Sequence, residues 1–340
     1  MAHPQSGGNV HSSVFGRPPT ERVKLSMKID PDVSDEKLLL GRQLGVDCCY
    51  VWVSPEQANA EFLSRLKTRV ADHGLELFHA GTMELGKCAD IILATPARDA
   101  RIEAFKRFLG ELAKAGIGVT TFTWEQVPTG TWNSGERVFT RATPTRHVSM
   151  SDVASRPLTH ERRYTEDEVW DNFSYFAERI LPTAEECGVQ LSLHPNDPPV
   201  EELGGVACLV KSIDSYRRAF EIGNSPNLAM EFCTGCWLEG GSGFGNVIEG
   251  IREFGSAGRI PIIHFRNIDA PLPEFHETFL DNGYMDMYEI AKVIVEIGYT
   301  GTVTLDHIPK MAGGTDDSVG LAYGIGYLKA LFERAYAEVG

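Results

Sequence analysis

Eight short β-rich runs alternate with helix-patterned stretches along nearly the whole chain, and this alternation limits the fold more than any other feature. The runs are VKLSMKI (23–29), DCCYVWV (47–53), GLELFHAG (74–81), IGVTTFTW (117–124), VQLSLH (189–194), NLAMEFC (227–233), IPIIHF (260–265) and GTVTLDH (301–307). Helical patterns follow each of them: from Ser34, from Pro55 to His73, about 100–115, from Thr165, near 212–222, near 246–254, near 286–297, and about 319–338. Thr165 and Glu168 have the spacing of a capping box. Short runs bounded by Gly, Asn or Pro and separated by helices read as parallel strands, because a parallel pair needs a long crossover. Eight such units predict an α/β fold, a (β/α)8 TIM barrel. A doubly wound sheet shares the alternation, but no G-x-G-x-x-G follows any strand.

The 340 residues suffice for one large barrel, which we place at 23–340. Residues 1–22 lack the apolar core of a signal peptide and read as a flexible tail. No run reaches the roughly 18 apolar residues of a membrane span, so a cytoplasmic protein is expected. Residues 124–164 break the rhythm: they are too long for an ordinary βα connection and rich in Thr, Arg and Trp. Their position after the fourth strand suggests a lid over the barrel mouth, with Trp132, Arg137 or Arg141 close to substrate. A net charge of −15 argues against nucleic acid and anionic membrane as partners. A small anionic substrate stays open, since a metal reverses the local field. Seven cysteines, an odd number thinly spread, read as free thiols with one functional thiolate.

The chemistry gathers at the ends of the last four strands. His194, Cys233, His264 and Asp306 follow one another at intervals of roughly 30–40 residues, one βα unit each, so a barrel brings them to one face. Any one of them alone is ordinarily a packed or capping residue. Four coincident exceptions on consecutive strands are much rarer, and together they form a site for a borderline divalent cation such as manganese, cobalt, zinc or iron. Glu231 shares the strand face of Cys233 and reads as a fifth ligand, a base or a positioning carboxylate. Arg266 shares the face of His264 and could clamp a carboxylate, with a surface salt bridge as the alternative. Cys236 completes a CxxC without a thioredoxin-like context, which favours packing over redox chemistry. His276, Glu277 and Asp286 either serve the site or cap the helix that follows.

Several of these pieces resemble one family. LHPNDPP (193–199), FCTG (232–235), HFRN (264–267), FHE (275–277), NG with DMYE (282–289), DH (306–307) and the helix ILPTAEECGV (180–189) are similar to segments of the mannonate dehydratases. Those are metal-dependent barrel enzymes related in fold to the xylose isomerases. The resemblance implies that His194, Cys233, His264 and Asp306 hold the metal, with Mn2+ the leading candidate over Fe2+, Co2+, Mg2+ or Zn2+. It implies a hydro-lyase that converts D-mannonate to 2-keto-3-deoxy-D-gluconate by proton abstraction next to the carboxylate. His307 and Arg266 would be catalytic, and Arg266, Asn196, Asp197, His276 and Trp132 would contact a small sugar acid. A homo-oligomer is expected. The chain departs from the family pattern at Leu280, Tyr284 and Ile308, and GTWNSGE (130–136) lacks an arginine and an aspartate found there. Tyr323 is a candidate replacement for a family tyrosine that has no counterpart by alignment. These departures keep a metal-dependent isomerase or epimerase acting on a keto sugar as the alternative function. A non-enzymatic sugar-binding barrel would predict a missing ligand residue, and all four are present.

Overall fold

A computed structural model describes residues 14–135, 137–313 and 317–340. Eight strands form one parallel sheet: β1 (Lys24–Ile29), β2 (Cys48–Trp52), β3 (Glu76–Gly81), β4 (Val119–Thr123), β5 (Gln190–His194), β6 (Leu228–Cys233), β7 (Ile262–Phe265) and β8 (Thr302–Leu305). Their order is β3-β2-β1-β8-β7-β6-β5-β4, so the sheet curls round until β3 and β4 lie side by side, with no ladder between them among the described residues. All eight expected strands are present, and the fold is the expected barrel.

Most strand residues are buried on both faces because one face fills the barrel and the other meets the helices. Phe122 of β4 points outward and packs 5.6 Å from Phe176. Trp124, just beyond β4, meets Phe173 edge-on at 5.2 Å. Both phenylalanines belong to the helix Glu166–Cys187, whose Val169, Phe173, Phe176, Ile180 and Ala184 recur at the three- and four-residue spacing of a buried helical stripe. Each such aromatic stabilises the fold by about 1.5–3 kcal/mol through burial. The helix starts where Thr165 and Glu168 cap one another and stops at Gly188, whose φ of 63° suits a residue without Cβ.

Two boundaries differ from expectation. Residues 1–13 of the expected tail lie outside the described residues, but 14–22 pack against the barrel. Phe15 lies 5.5 Å from the Tyr336 ring. Arg22 is fully buried and grips both Asp47 oxygens at 2.8 Å. A bidentate ion pair satisfies a buried guanidinium as a tail in water could not. The segment 124–164 is also more ordered than its composition suggests. It holds a hairpin of Val138–Thr140 and Thr143–Thr145, a strand His147–Ser149 and a short helix Met150–Ser155. The strand His147–Ser149 pairs antiparallel with Glu274–Thr278, which pairs in turn with Asn267–Ile268 beyond β7. The insertion is therefore stitched to the loop that carries FHE. No helix among the described residues is long and apolar enough to cross a membrane.

Candidate metal centre

Register brings the site together. Cys233 lies opposite His264 across β6 and β7, and Thr123 lies opposite His194 across β4 and β5. The donor atoms of His194, Cys233 and His264 all lie within 4.8 Å of one another. One ion about 2.0–2.3 Å from each would fit that spacing. Asp306, just past β8, reaches the same group: its Oδ2 is 3.5 Å from the Cys233 sulfur and its Oδ1 is 3.4 Å from His264 Nδ1. The structure thus brings together three of the four expected ligands, with the fourth touching two of them.

The residues present fit a cation. His194 Nδ1 lies 2.7 Å from the Pro195 carbonyl. A carbonyl only accepts, so Nδ1 carries the proton and Nε2 is left as a donor to an ion. Both His264 nitrogens lack a hydrogen bond, although Glu231 Oε1 and Asp306 Oδ1 sit 2.6 and 3.4 Å away. Those contacts are close but out of line, as expected where carboxylates and imidazoles converge on one point. The electrostatics agree. Burial alone would lower the His264 pKa, but Glu231 and Asp306 outweigh it and hold the pKa well above its usual value. Burial would raise the Cys233 thiol; a hydrogen bond from Cys236 and the nearby Arg266 cation outweigh it and bring the pKa well below the usual thiol range. Asp306 is also held well below the carboxylate range, because His307, His264 and Arg266 together overcome the effect of burial. Two imidazoles, a thiolate and a carboxylate suit a borderline divalent ion.

A cavity of about 330 Å³ opens beside these ligands at the C-terminal ends of the strands. Its wall includes Lys28, Tyr50, Lys87, His194, Asp197, Glu231, His264, Asp306 and His307. Glu231 is buried, 2.6 Å from His264 Nε2, and accepts a hydrogen bond from the Thr121 hydroxyl. His307 is exposed at the mouth, and its Nδ1 lies 2.7 Å from Glu277 Oε1. Asp306 and Glu277 raise its pKa to about 9, so the imidazole is protonated at neutral pH.

Other expected site residues stand elsewhere. Arg266 does not face the cavity. Its guanidinium is fully buried among Asp197 (3.1 Å), Glu239 (3.0 Å), Glu277 (2.5 Å) and Asp306 (3.0 Å), so no edge is left for a substrate carboxylate. Gly235 of FCTG makes room for it: a Cβ there would fall 2.1 Å from Arg266 Nε. Asn196 is also spent on structure, since its Oδ1 accepts from Val210 N at 2.9 Å. Asp197 does line the cavity while pairing with Arg146 at 2.6 Å. His276 pairs with Asp269 at 2.8 Å and lies off the cavity wall. Trp132 is buried in the core, and Arg141 is tied to Asp281 at 2.7 Å. Arg137 is exposed and also lies off the cavity wall. The insertion's link to the site is Arg146, which sequence reasoning missed; it bridges Asp197 and Glu277. Lys28, Tyr50 and His79 were missed as well. They sit on β1, β2 and β3, with Tyr50 stacked on His79 at 4.9 Å. An inward-facing parity test on the first three strands would have found them. The family departures fall outside the cavity: Leu280 is in the core, and Tyr284 donates to the Leu238 carbonyl at 2.8 Å.

Comparison with known proteins gives a consistent result. The family model for D-mannonate dehydratase (UxuA) matches residues 144–338. A mannonate dehydratase of Thermotoga maritima is 30% identical over 281 residues, covering 73% of this chain and 77% of that protein. The solved mannonate dehydratase of Streptococcus suis serotype 2 superposes with a TM-score of 0.82 at 24% identity, over 94% of this chain and 96% of that one. A xylose isomerase domain protein of Planctomyces limnophilus shares the fold at a TM-score of 0.62 and 17% identity, over 93% and 98% of the two chains.

Proposed function

The chain belongs to the D-mannonate dehydratase family, and from that premise we propose that it removes water from D-mannonate to give 2-keto-3-deoxy-D-gluconate. The observation that carries this reading is the convergence of His194, Cys233 and His264, with Asp306 alongside, next to a cavity that His194, His264 and Asp306 line and that is large enough for a six-carbon acid. These four residues would hold the divalent ion, with manganese preferred. When bound, the ion supplies positive charge where negative charge develops as the proton leaves the carbon next to the carboxylate.

The chain's own residues supply the rest. In the reaction the C2 proton is lost, the C3 hydroxyl leaves as water, and the resulting enol becomes the keto acid by gaining a proton at C3. His307 suits the step at the hydroxyl: its pKa of about 9 keeps a proton available at neutral pH, and Glu277 fixes the ring by accepting from Nδ1. That bond points Nε2 away from Glu277. Arg266 and Arg146 act on the buried side by holding Asp197 and Glu277 in place. They are positioning residues here, which revises the carboxylate clamp expected of Arg266.

Incubation of metal-loaded protein with D-mannonate in deuterated water tests the reading. The expected product is the deoxy-keto acid with one solvent deuterium at C3, and His307→Asn should lower its rate about 10²-fold. A rearranged sugar that keeps all its oxygens and carries solvent deuterium would make the protein an isomerase or epimerase. Neither product nor exchange with any aldonate or keto sugar would overturn both readings.

A further inference from the structure

We propose that Lys28 seats the carboxylate of the substrate and so sets the preference for a sugar acid over a neutral sugar; this rests on the aldonate reading above. An anionic substrate needs a cation on the cavity wall, and most of those nearby are already engaged. Arg266 and Arg146 lie among carboxylates behind the wall. His307 is held by Glu277, and Lys87 lies 2.9 Å from Glu125.

Lys28 differs in place and in partners. It stands near the end of β1, where Ser26 is opposite Thr304 of β8 and Lys28 is opposite Tyr50 of β2. Extending the β1–β8 register by two residues sets Lys28 level with Asp306. Its side chain lines the cavity with Tyr50, His264 and Asp306, and it also borders two further clefts. It is exposed and makes no hydrogen bond or ion pair among the described residues. A lysine on a barrel strand, facing inward beside the metal ligands, has no packing reason to be there. A leucine or valine would fill the same layer without bringing an unpaired charge into it.

The chemistry of the side chain fits the task. An ammonium on a four-carbon stem is a point charge with three donors, able to meet one end of a carboxylate from a range of positions. The protein carries a net charge of −15, and carboxylates of Asp197, Glu231 and Asp306 face the same cavity. An unpaired cation at the mouth offsets that field and draws in an anion. A neutral keto sugar gains nothing from it.

Calorimetric titration of the metal-loaded full-length protein tests this, with D-gluconate and D-mannitol as probes. Gluconate is the C2 epimer of mannonate and presents the same carboxylate; mannitol has none. Lys28→Met should weaken gluconate binding about 10- to 100-fold, the loss expected for one charge-assisted hydrogen bond. Mannitol binding should not move, and Lys28→Arg should fall between wild type and Lys28→Met. Because Lys28 is exposed, thermal melts of both variants should match wild type and exclude misfolding. Gluconate bound equally by wild type and Lys28→Met overturns the proposal, as does a wild type that binds no gluconate. Turnover of mannonate by wild type, measured alongside, reports on the dehydration reading separately. Turnover with Lys28-independent binding removes only the role of Lys28. Lys28-dependent binding without turnover removes only the dehydration.

Discussion

Cys233 and His264 are register partners, so the soft and the borderline donor of the site are fixed to each other by backbone pairing rather than by a flexible loop. This makes the thiolate the most informative ligand to change. Cys233→Ser should weaken binding of zinc or cobalt by at least about tenfold and that of manganese less, since the softer ions depend more on sulfur. Competition with a chromophoric chelator measures both affinities; equal losses for all three ions would remove the sulfur from the ligand set. At this scale the four candidate ligands could be picked out in the sequence because a strand end is a fixed address in a barrel, and the structure brings His194, Cys233 and His264 together with Asp306 beside them. Arg266 was misread because parity tells which face a side chain takes, not how many carboxylates surround it. Asp197, Glu239 and Glu277 approach it from a loop, a short helix and a strand, and no local pattern in the chain announces their meeting.

Between strand four and its helix, the hairpin Val138–Thr140/Thr143–Thr145 turns through Arg141 and Ala142, both with positive φ, at 45° and 65°. A two-residue turn with both φ values positive is the type that favours Asn-Gly, and a non-glycine residue there is strained. Ala142→Gly should therefore stabilise the hairpin by up to about 1 kcal/mol. Limited proteolysis of the insertion should slow in that variant; unchanged cleavage would show that the turn carries no strain. Arg141 remains anchored to Asp281 and Thr140 to Asn282 (3.1 Å), so the hairpin tip stays tied to the loop after β7. The insertion's presence and position were legible from its length. Its strands were not, because each is three residues long and takes its partner from a segment more than a hundred residues away or across a strained turn. Three residues are too few to display a period of two.

At the scale of the whole molecule, an ion bound at the charged centre should stabilise the barrel. Cys233, His264, Glu231 and Asp306 are crowded around one point, and an ion there would offset repulsion among the acids. Chelation should lower the melting temperature by about 5 °C at an ion concentration near 100 times Kd, and restoring the ion should reverse it. Scanning calorimetry with and without chelator checks this; an unchanged transition would mean that the ligands bind no ion. The fold class was legible because alternation of strand and helix is a property of the entire chain. How the sheet closes was not, since that depends on how the first half meets the second. Here the closure is incomplete: among the described residues seven ladders join the eight strands, and β3 meets β4 without one. Mechanically the barrel is a split ring. The gap lies between β3 and β4, with Tyr50 on the next strand on one side and His194 on the next strand on the other. A ring cut at one place widens there first, so breathing of the scaffold starts at β3 and β4 and reaches Tyr50 on β2 and His194 on β5 before Lys28 on β1 or the residues at the ends of β6 to β8.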